Sequence, residues 1–157
     1  MKIDKTVFVA EGAKIIGNVT IEENVNIWFN VVIRSDMSSI SIGKNTNVQD
    51  LVCIHDNIDQ PTIIGENVTI GHSAIIHAAT IEDNALIGMG ATVLDGAVIE
   101  SGALVGAGAV IPPGKVIPAR HLVVGNPMKI IRPLTSDEIK GIELNKDYYI
   151  KLAQQYK

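Results

Sequence analysis

Three of the four histidines, His55, His72 and His77, crowd into one stretch of a 157-residue chain, with Arg34, Asp36, Gln49 and Asp50 upstream. Neutral imidazoles are good ligands for a divalent cation, and three of them leave a fourth position open for water. A cation held that way lowers the pKa of water to roughly 7, which makes hydroxide available at neutral pH. Nearby carboxylates would set the orientation of the rings. Whether these side chains meet depends on the elements that carry them.

Those elements follow a period of six. Ile3, Val9, Ile15, Ile21, Ile27 and Ile33 are six apart, and so are Ile81, Ile87, Val93, Ile99, Val105, Ile111 and Ile117. A smaller residue stands four positions after most of them, as at Val19, Val25, Ala85 and Ala91. A helix would need a period near 3.6 and a plain strand a period of 2. A hexad is too short for a helix and a strand, so each is one short strand and a bend. Three hexads make a triangular coil, and coils stack about 4.8 Å apart. The large aliphatic residues then form interior ladders that no single coil could bury alone. Nineteen ladder positions from Ile3 to Ile117 predict roughly six coils and a prism about 29 Å long.

The fold class is therefore mainly β, a parallel β-helix over residues 1–134, followed by a helical segment over 135–157. Thr135 and Glu138 read as a capping box. Ile139, Ile142, Tyr149, Leu152, Ala153 and Tyr156 fall near one helix face, so the helix should lie along the prism. Composition agrees: 46% of residues are hydrophobic but only 4% aromatic, so Ile, Val, Leu and Ala fill the core.

Composition also excludes partners. A net charge of −4 without a basic patch argues against nucleic acid. No stretch approaches the roughly 20 apolar residues of a membrane span, and the first residues lack the apolar segment of a secretory signal. The single cysteine, Cys53, rules out an intrachain disulfide framework and suits a reducing cytoplasm. It reads as a small packing residue.

The period breaks where the polar chemistry sits. The step from Ile33 to Ile42 is nine residues and holds Arg34, Asp36 and Met37. The step from Ile54 to Ile64 is ten and holds His55 and Asp56, and the step from Ile76 to Ile81 is five and opens with His77. Counted along the ladder, Ile54 and Ile76 lie three sides apart, on the same side of adjacent coils. His55 and His77 follow them directly and should stand one above the other. Two nitrogens on one Zn²⁺ at about 2.1 Å are roughly 3.4 Å apart, which stacked coils accommodate.

His72 follows Ile70 by two and belongs to another edge of the triangle, too far away to join them within one chain. A closed three-fold assembly resolves this, because each subunit presents one edge to its neighbour's other edge. The expectation is a homotrimer with three metal sites, each taking His55 and His77 from one chain and His72 from the next. Arg34 and Asp36 share the first edge, and Gln49 and Asp50 share the edge of His72. An Arg34–carboxylate pair across the interface would orient the subunits.

The segments Arg34-Ser35-Asp36, Asn47-Val48-Gln49-Asp50, Thr69-Ile70-Gly71-His72, His55 and His77 resemble the pattern of the γ-class carbonic anhydrases. Gly88-Met89-Gly90-Ala91-Thr92-Val93-Leu94-Asp95-Gly96 and Pro112-Pro113-Gly114 are similar to that family too. The resemblance spans essentially the whole chain. It implies a left-handed β-helix of the hexapeptide-repeat (isoleucine-patch) superfamily, with zinc, or iron or cobalt (Fe²⁺ or Co²⁺), on His55, His72 and His77 at a trimer interface. It also implies interface and site-supporting roles for Arg34, Asp36, Gln49 and Asp50. The expected reaction is that of a metal-dependent lyase, in which hydroxide attacks CO₂ to give bicarbonate, with Gln49 orienting the reacting oxygen.

Two departures bear on rate. Met37 stands where the most active members carry a proton-shuttling glutamate, and Asp56 and Asp59 are the nearby acids after His55. Tyr149 could supply a hydroxyl near the site. His121, in the exit loop, reads as structural. Two other readings share the repeat: an acyltransferase or thioesterase acting on a CoA thioester, and a non-catalytic metal-stabilised trimer.

Overall fold

The computed structural model describes residues 1–156, and these form a parallel β-solenoid of triangular coils with one helix at the C-terminal end. One prism face stacks the strands Phe8–Val9, Asn26–Ile27, Asn47–Val48, Thr69–Ile70, Leu86–Ile87, Leu104–Val105 and His121–Val124. Seven strands mean seven coils, one more than the ladder count gives. The difference lies past Ile117, where the ladder continues to Val123, fully buried and in register with Val105. The strand Lys129–Pro133 then returns antiparallel along His121–Val124 and covers the last edge of this face.

The other two faces form one 11-stranded sheet, because two long strands turn the corner between them. Val32–Ile42 absorbs the nine-residue step this way, pairing with Lys14–Ile21 before and after a register shift between Gly17 and Val19. Gly17 allows that shift: its φ is 88°, and a Cβ there would collide with the Ser35 carbonyl. The first face thus runs through Cys53–His55 and Ile75–His77, and the second through Thr62–Ile64 and Thr80–Ile81.

The core is the ladder itself. Ile27, Ile33, Ile54, Ile70, Ile76 and Ile87 are fully buried. Each isoleucine so enclosed contributes about 1.5–3 kcal/mol relative to exposure. The corners need left-handed backbone, and Asn24, Asn45, Asn67 and Asn84 supply it with φ near 60°. Beside the candidate site residues the choice changes. Leu51, Ser73 and Ala78, which follow Asp50, His72 and His77, hold φ values of 64°, 61° and 47° despite carrying a Cβ. Strain of this kind costs of order 1–3 kcal/mol per residue and clusters at working sites.

The helix Ser136–Gln154 begins at the expected capping box, and Arg132 adds a two-pronged ion pair to Glu138 at 2.8 and 2.9 Å. The guanidinium of Arg132, with the Thr135 amide, holds the Glu138 carboxyl down at about 2. The helix lies against the seven-stranded face. Trp28 anchors it, edge-on to Tyr149 and Tyr156 at centroid distances of 5.7 and 5.4 Å. Among the described residues, no helix is long and apolar enough to cross a membrane.

Candidate metal centre

Strand register decides which side chains meet. On the first face His77 pairs with His55, and His55 with Arg34, as counting along the ladder requires. The rings approach with His55 Nδ1 3.2 Å from His77 Nε2. That is close to the roughly 3.4 Å expected of two nitrogens sharing one tetrahedral zinc.

The far side of each ring fixes its protons. His55 Nε2 lies 2.9 Å from Asp36 Oδ1, and His77 Nδ1 lies 2.5 Å from Asp95 Oδ1. An ionised carboxylate only accepts, so both of those nitrogens carry hydrogen. In the neutral rings, His55 Nδ1 and His77 Nε2 then aim lone pairs at each other. Two lone pairs at 3.2 Å repel, and a positive centre between them removes the conflict. The donor set therefore fits a cation.

His72 stands at a different corner, between the seven-stranded face and the first face, whereas His55 and His77 end the first face. Its carboxylate partner is Asp50, whose Oδ2 lies 2.8 Å from His72 Nδ1. Each of the three rings thus has a carboxylate on one nitrogen. Carboxylates in that position orient metal-binding histidines and raise their basicity.

The supporting groups are themselves held. Asp36 sits below its usual carboxylate range because His55 hydrogen-bonds it and Arg34 adds a second pull. Arg34 pairs with Asp36 of its own chain. Within the single chain, the bend in Val32–Ile42 brings Asp36 back toward the guanidinium. Asp56 is fully buried and accepts from Ser35 Oγ at 2.6 Å and the Ser38 amide at 2.7 Å. Burial pushes its carboxyl up, but these bonds and the Met37 amide outweigh it and hold it below the usual range. The residue fastens the bend that carries Asp36.

Asp36, His55 and Asp56 also form a compact trio whose ligand atoms lie within 4.8 Å of one another. Asp56 already accepts from Ser35, Ser38 and Met37, so a cation there would share its oxygens with these hydrogen bonds. The lone-pair nitrogens of the histidines carry no such commitment to the backbone.

Gln49 is nearly buried and ties the His72 corner together. Its Oε1 accepts the His72 amide at 3.2 Å and its Nε2 donates to Asn47 Oδ1 at 3.1 Å, which leaves one N–H available. Tyr149 borders a cleft shared with Gln49 and His72. Burial raises its hydroxyl pKa, and Asp50 and Tyr148 raise it further. His121 lies apart, with Nδ1 against the Ala119 carbonyl. Cys53 is exposed, on an outward column with Val32 and Ile75, and does not pack inward.

Asp95 and its partner Asn57, whose Nδ2 donates to Asp95 Oδ2 at 2.7 Å, escape the reading of spacing alone. The signal was present: Val93 pairs with Ile76, which puts Leu94 in line with His77 and Asp95 one residue beyond.

Comparison with known proteins follows the geometry. Residues 78–113 match the repeat described as bacterial transferase hexapeptide (six repeats), and residues 61–94 match the hexapeptide repeat of succinyl-transferase. The chain is 53% identical over 152 residues to a protein of Methanocaldococcus jannaschii named "Probable carbonic anhydrase", covering 97% of this chain and 96% of that one. It is 47% identical to the mitochondrial gamma carbonic anhydrase 2 of Arabidopsis thaliana, covering 97% of this chain but 57% of the plant protein. A Bacillus cereus crystal structure, provisionally assigned as an acetyltransferase, superposes with a TM-score of 0.96 at 43% identity, covering 99% of this chain and 90% of that one.

Proposed function

We propose a function from one premise: the chain belongs to the γ-carbonic anhydrase-like family of hexapeptide-repeat proteins. On that premise it is a metalloprotein that converts carbon dioxide to bicarbonate. His55 and His77 of one subunit and His72 of the next would hold the cation, which is zinc, ferrous iron or cobalt. When bound, that cation supplies hydroxide near neutral pH.

The observation that carries this reading is the carboxylate behind every ring: Asp36 on His55, Asp50 on His72 and Asp95 on His77. Asp36 and Asp95 accept the ring N–H of His55 and His77 and keep the opposite nitrogen a lone-pair donor, while Asp50 stands at ion-pair distance from His72 Nδ1. Gln49 offers its remaining N–H to an oxygen of the substrate. Proton removal is the weak point, because Met37, half exposed beside Asp36, offers no titratable group.

A homotrimer follows from where the corners lie. His72 opens the first face and His55 and His77 close it. Bringing those two corners together around a three-fold axis turns the first face inward. The outward column of that face, Val32, Cys53 and Ile75, is apolar and open to solvent in the single chain. Burying it at the axis supports the assembly. A cytoplasmic setting completes the proposal, supported by the single cysteine.

The second reading, acyl transfer or thioester hydrolysis with coenzyme A, is favoured by the likeness to the Bacillus cereus chain. It requires saturable coenzyme A binding and activity without metal. A trimer whose metal is purely structural is a third.

The deciding experiment mixes subunits. His55→Ala and His72→Ala each remove the metal alone. Co-refolded in equal amounts, they restore about a quarter of the sites if ligands come from two chains, read by metal analysis and stopped-flow CO₂ hydration. Mixtures as empty as either parent would end the shared-site reading. Full metal occupancy without hydration would end the anhydrase reading alone.

A further inference from the structure

Between the seven-stranded face and the C-terminal helix runs a cleft of about 330 Å³ that carbon dioxide chemistry leaves unexplained. A triatomic molecule would leave most of it empty, whereas small organic ligands occupy clefts of roughly 300–1,000 Å³. Leu86, Met89 and Leu104 make much of its wall apolar, and Met89 is largely open to solvent. Polar groups converge at one end, where His72, Asn145 and Tyr149 border it.

That end is set up to donate hydrogen bonds. Asn145 spends its amide on one long bond, 3.4 Å to Thr69 Oγ1, and so retains donor capacity. Burial and the nearby Asp50 carboxylate keep the Tyr149 hydroxyl protonated. In the metal-free protein the same carboxylate, beside His72 Nδ1, places negative charge at this end and disfavours an anionic head group. A neutral carbonyl oxygen fits both requirements, and a hydrocarbon chain fits the wall behind it.

We propose that this cleft binds a short straight-chain acyl compound with an uncharged head, an amide or an ester. Its carbonyl sits at Asn145 and Tyr149 and its chain lies along Leu86, Met89 and Leu104. The lining residues all come from one chain, and the contacts proposed for the ligand use no cation, so the inference can fail or hold separately from the anhydrase reading. His72 at the mouth places the carbonyl beside the candidate metal centre.

The test titrates acetamide, butanamide and hexanamide into the full-length protein, metal-free and metal-loaded, by calorimetry. Affinity should rise about fourfold per added methylene in both forms until the cleft is filled. Leu104→Trp, which fills the cleft from a strand surface, should abolish the dependence on chain length while the circular dichroism spectrum is kept. Asn145→Ala should weaken every member by the same factor and preserve the slope. A flat series in the wild-type protein, or an unchanged slope in Leu104→Trp, overturns the proposal. A wild-type protein that shows the slope yet does not hydrate carbon dioxide would count against the anhydrase reading and leave this proposal standing.

Discussion

Asp95 accepts a 2.5 Å hydrogen bond from His77 Nδ1, on the side of the ring turned away from His55. Asn57 donates to the other Asp95 oxygen at 2.7 Å, so the carboxylate is held from two directions. Burial works to raise its pKa, and the bonds from His77 and Asn57 bring it below the usual range. An acceptor fixed in that way sets both the tautomer and the tilt of the ring it serves.

Asp95→Asn should therefore lower metal affinity by about 10–100-fold without removing a ligand. Competition with a chelator measures it. Affinity equal to the wild-type value would show that Asp95 merely packs beside the ring.

Asp56→Ala should destabilise the fold, because buried Ser35 Oγ and the half-buried Ser38 amide lose their shared acceptor. Each buried group left unpaired costs about 1–3 kcal/mol. Urea midpoints of the metal-free protein report it. The bend at Asp36 should loosen with it, so metal affinity falls as well.

Ile75→Asp tests the proposed trimer. Ile75 is 43% exposed on the outward column, so a charge there is harmless to one isolated prism. At a three-fold axis it meets its own copies. Light scattering should show monomers with an unchanged circular dichroism spectrum. Intact trimers would mean that the first face points elsewhere.

The helix anchor carries a pH signature. Glu138 titrates at about 2 in the folded protein, against an ordinary value of 4.5, because Arg132 and Thr135 bind its ionised form. A depressed carboxylate gives its full stabilisation above about pH 4.5, and that contribution is lost as pH falls through about 2. Helix docking, read from Trp28 fluorescence, should be firmer in the wild-type protein than in Glu138→Gln above pH 4.5. The difference should vanish near pH 2. A constant difference across that range would place the role of Glu138 in packing rather than charge.

Much of this architecture is legible in spacing. A ladder fixes register, so the alignment of Arg34, His55 and His77 follows from counting, and so does the separation of His72. The capping box at Thr135 is local chemistry and reads directly. What spacing misses is side-chain reach. Whether Arg34 turns toward its own Asp36 or outward depends on how Val32–Ile42 bends, and hexads carry no information about a bend that interrupts them. Asp95 was hidden for a related reason: it belongs to the coil beyond its partner and one residue out of line. The coil past Ile117 does not show in the spacing, because the residues that follow look like an exit loop until Val123 pairs with Val105.

The strand that rounds a corner at Arg34 to Ser38 has an evolutionary reading. Each turn of the spool is clipped to the turn beneath it, so extra length let out at a vertex is not passed along the rest of the thread. Catalytic accessories can be spliced in or trimmed away there while the spool keeps its winding. A lineage can thus retune its chemistry by editing a few codons at one vertex, and an engineer can graft an acid-bearing segment between Ser35 and Ser38 on the same terms.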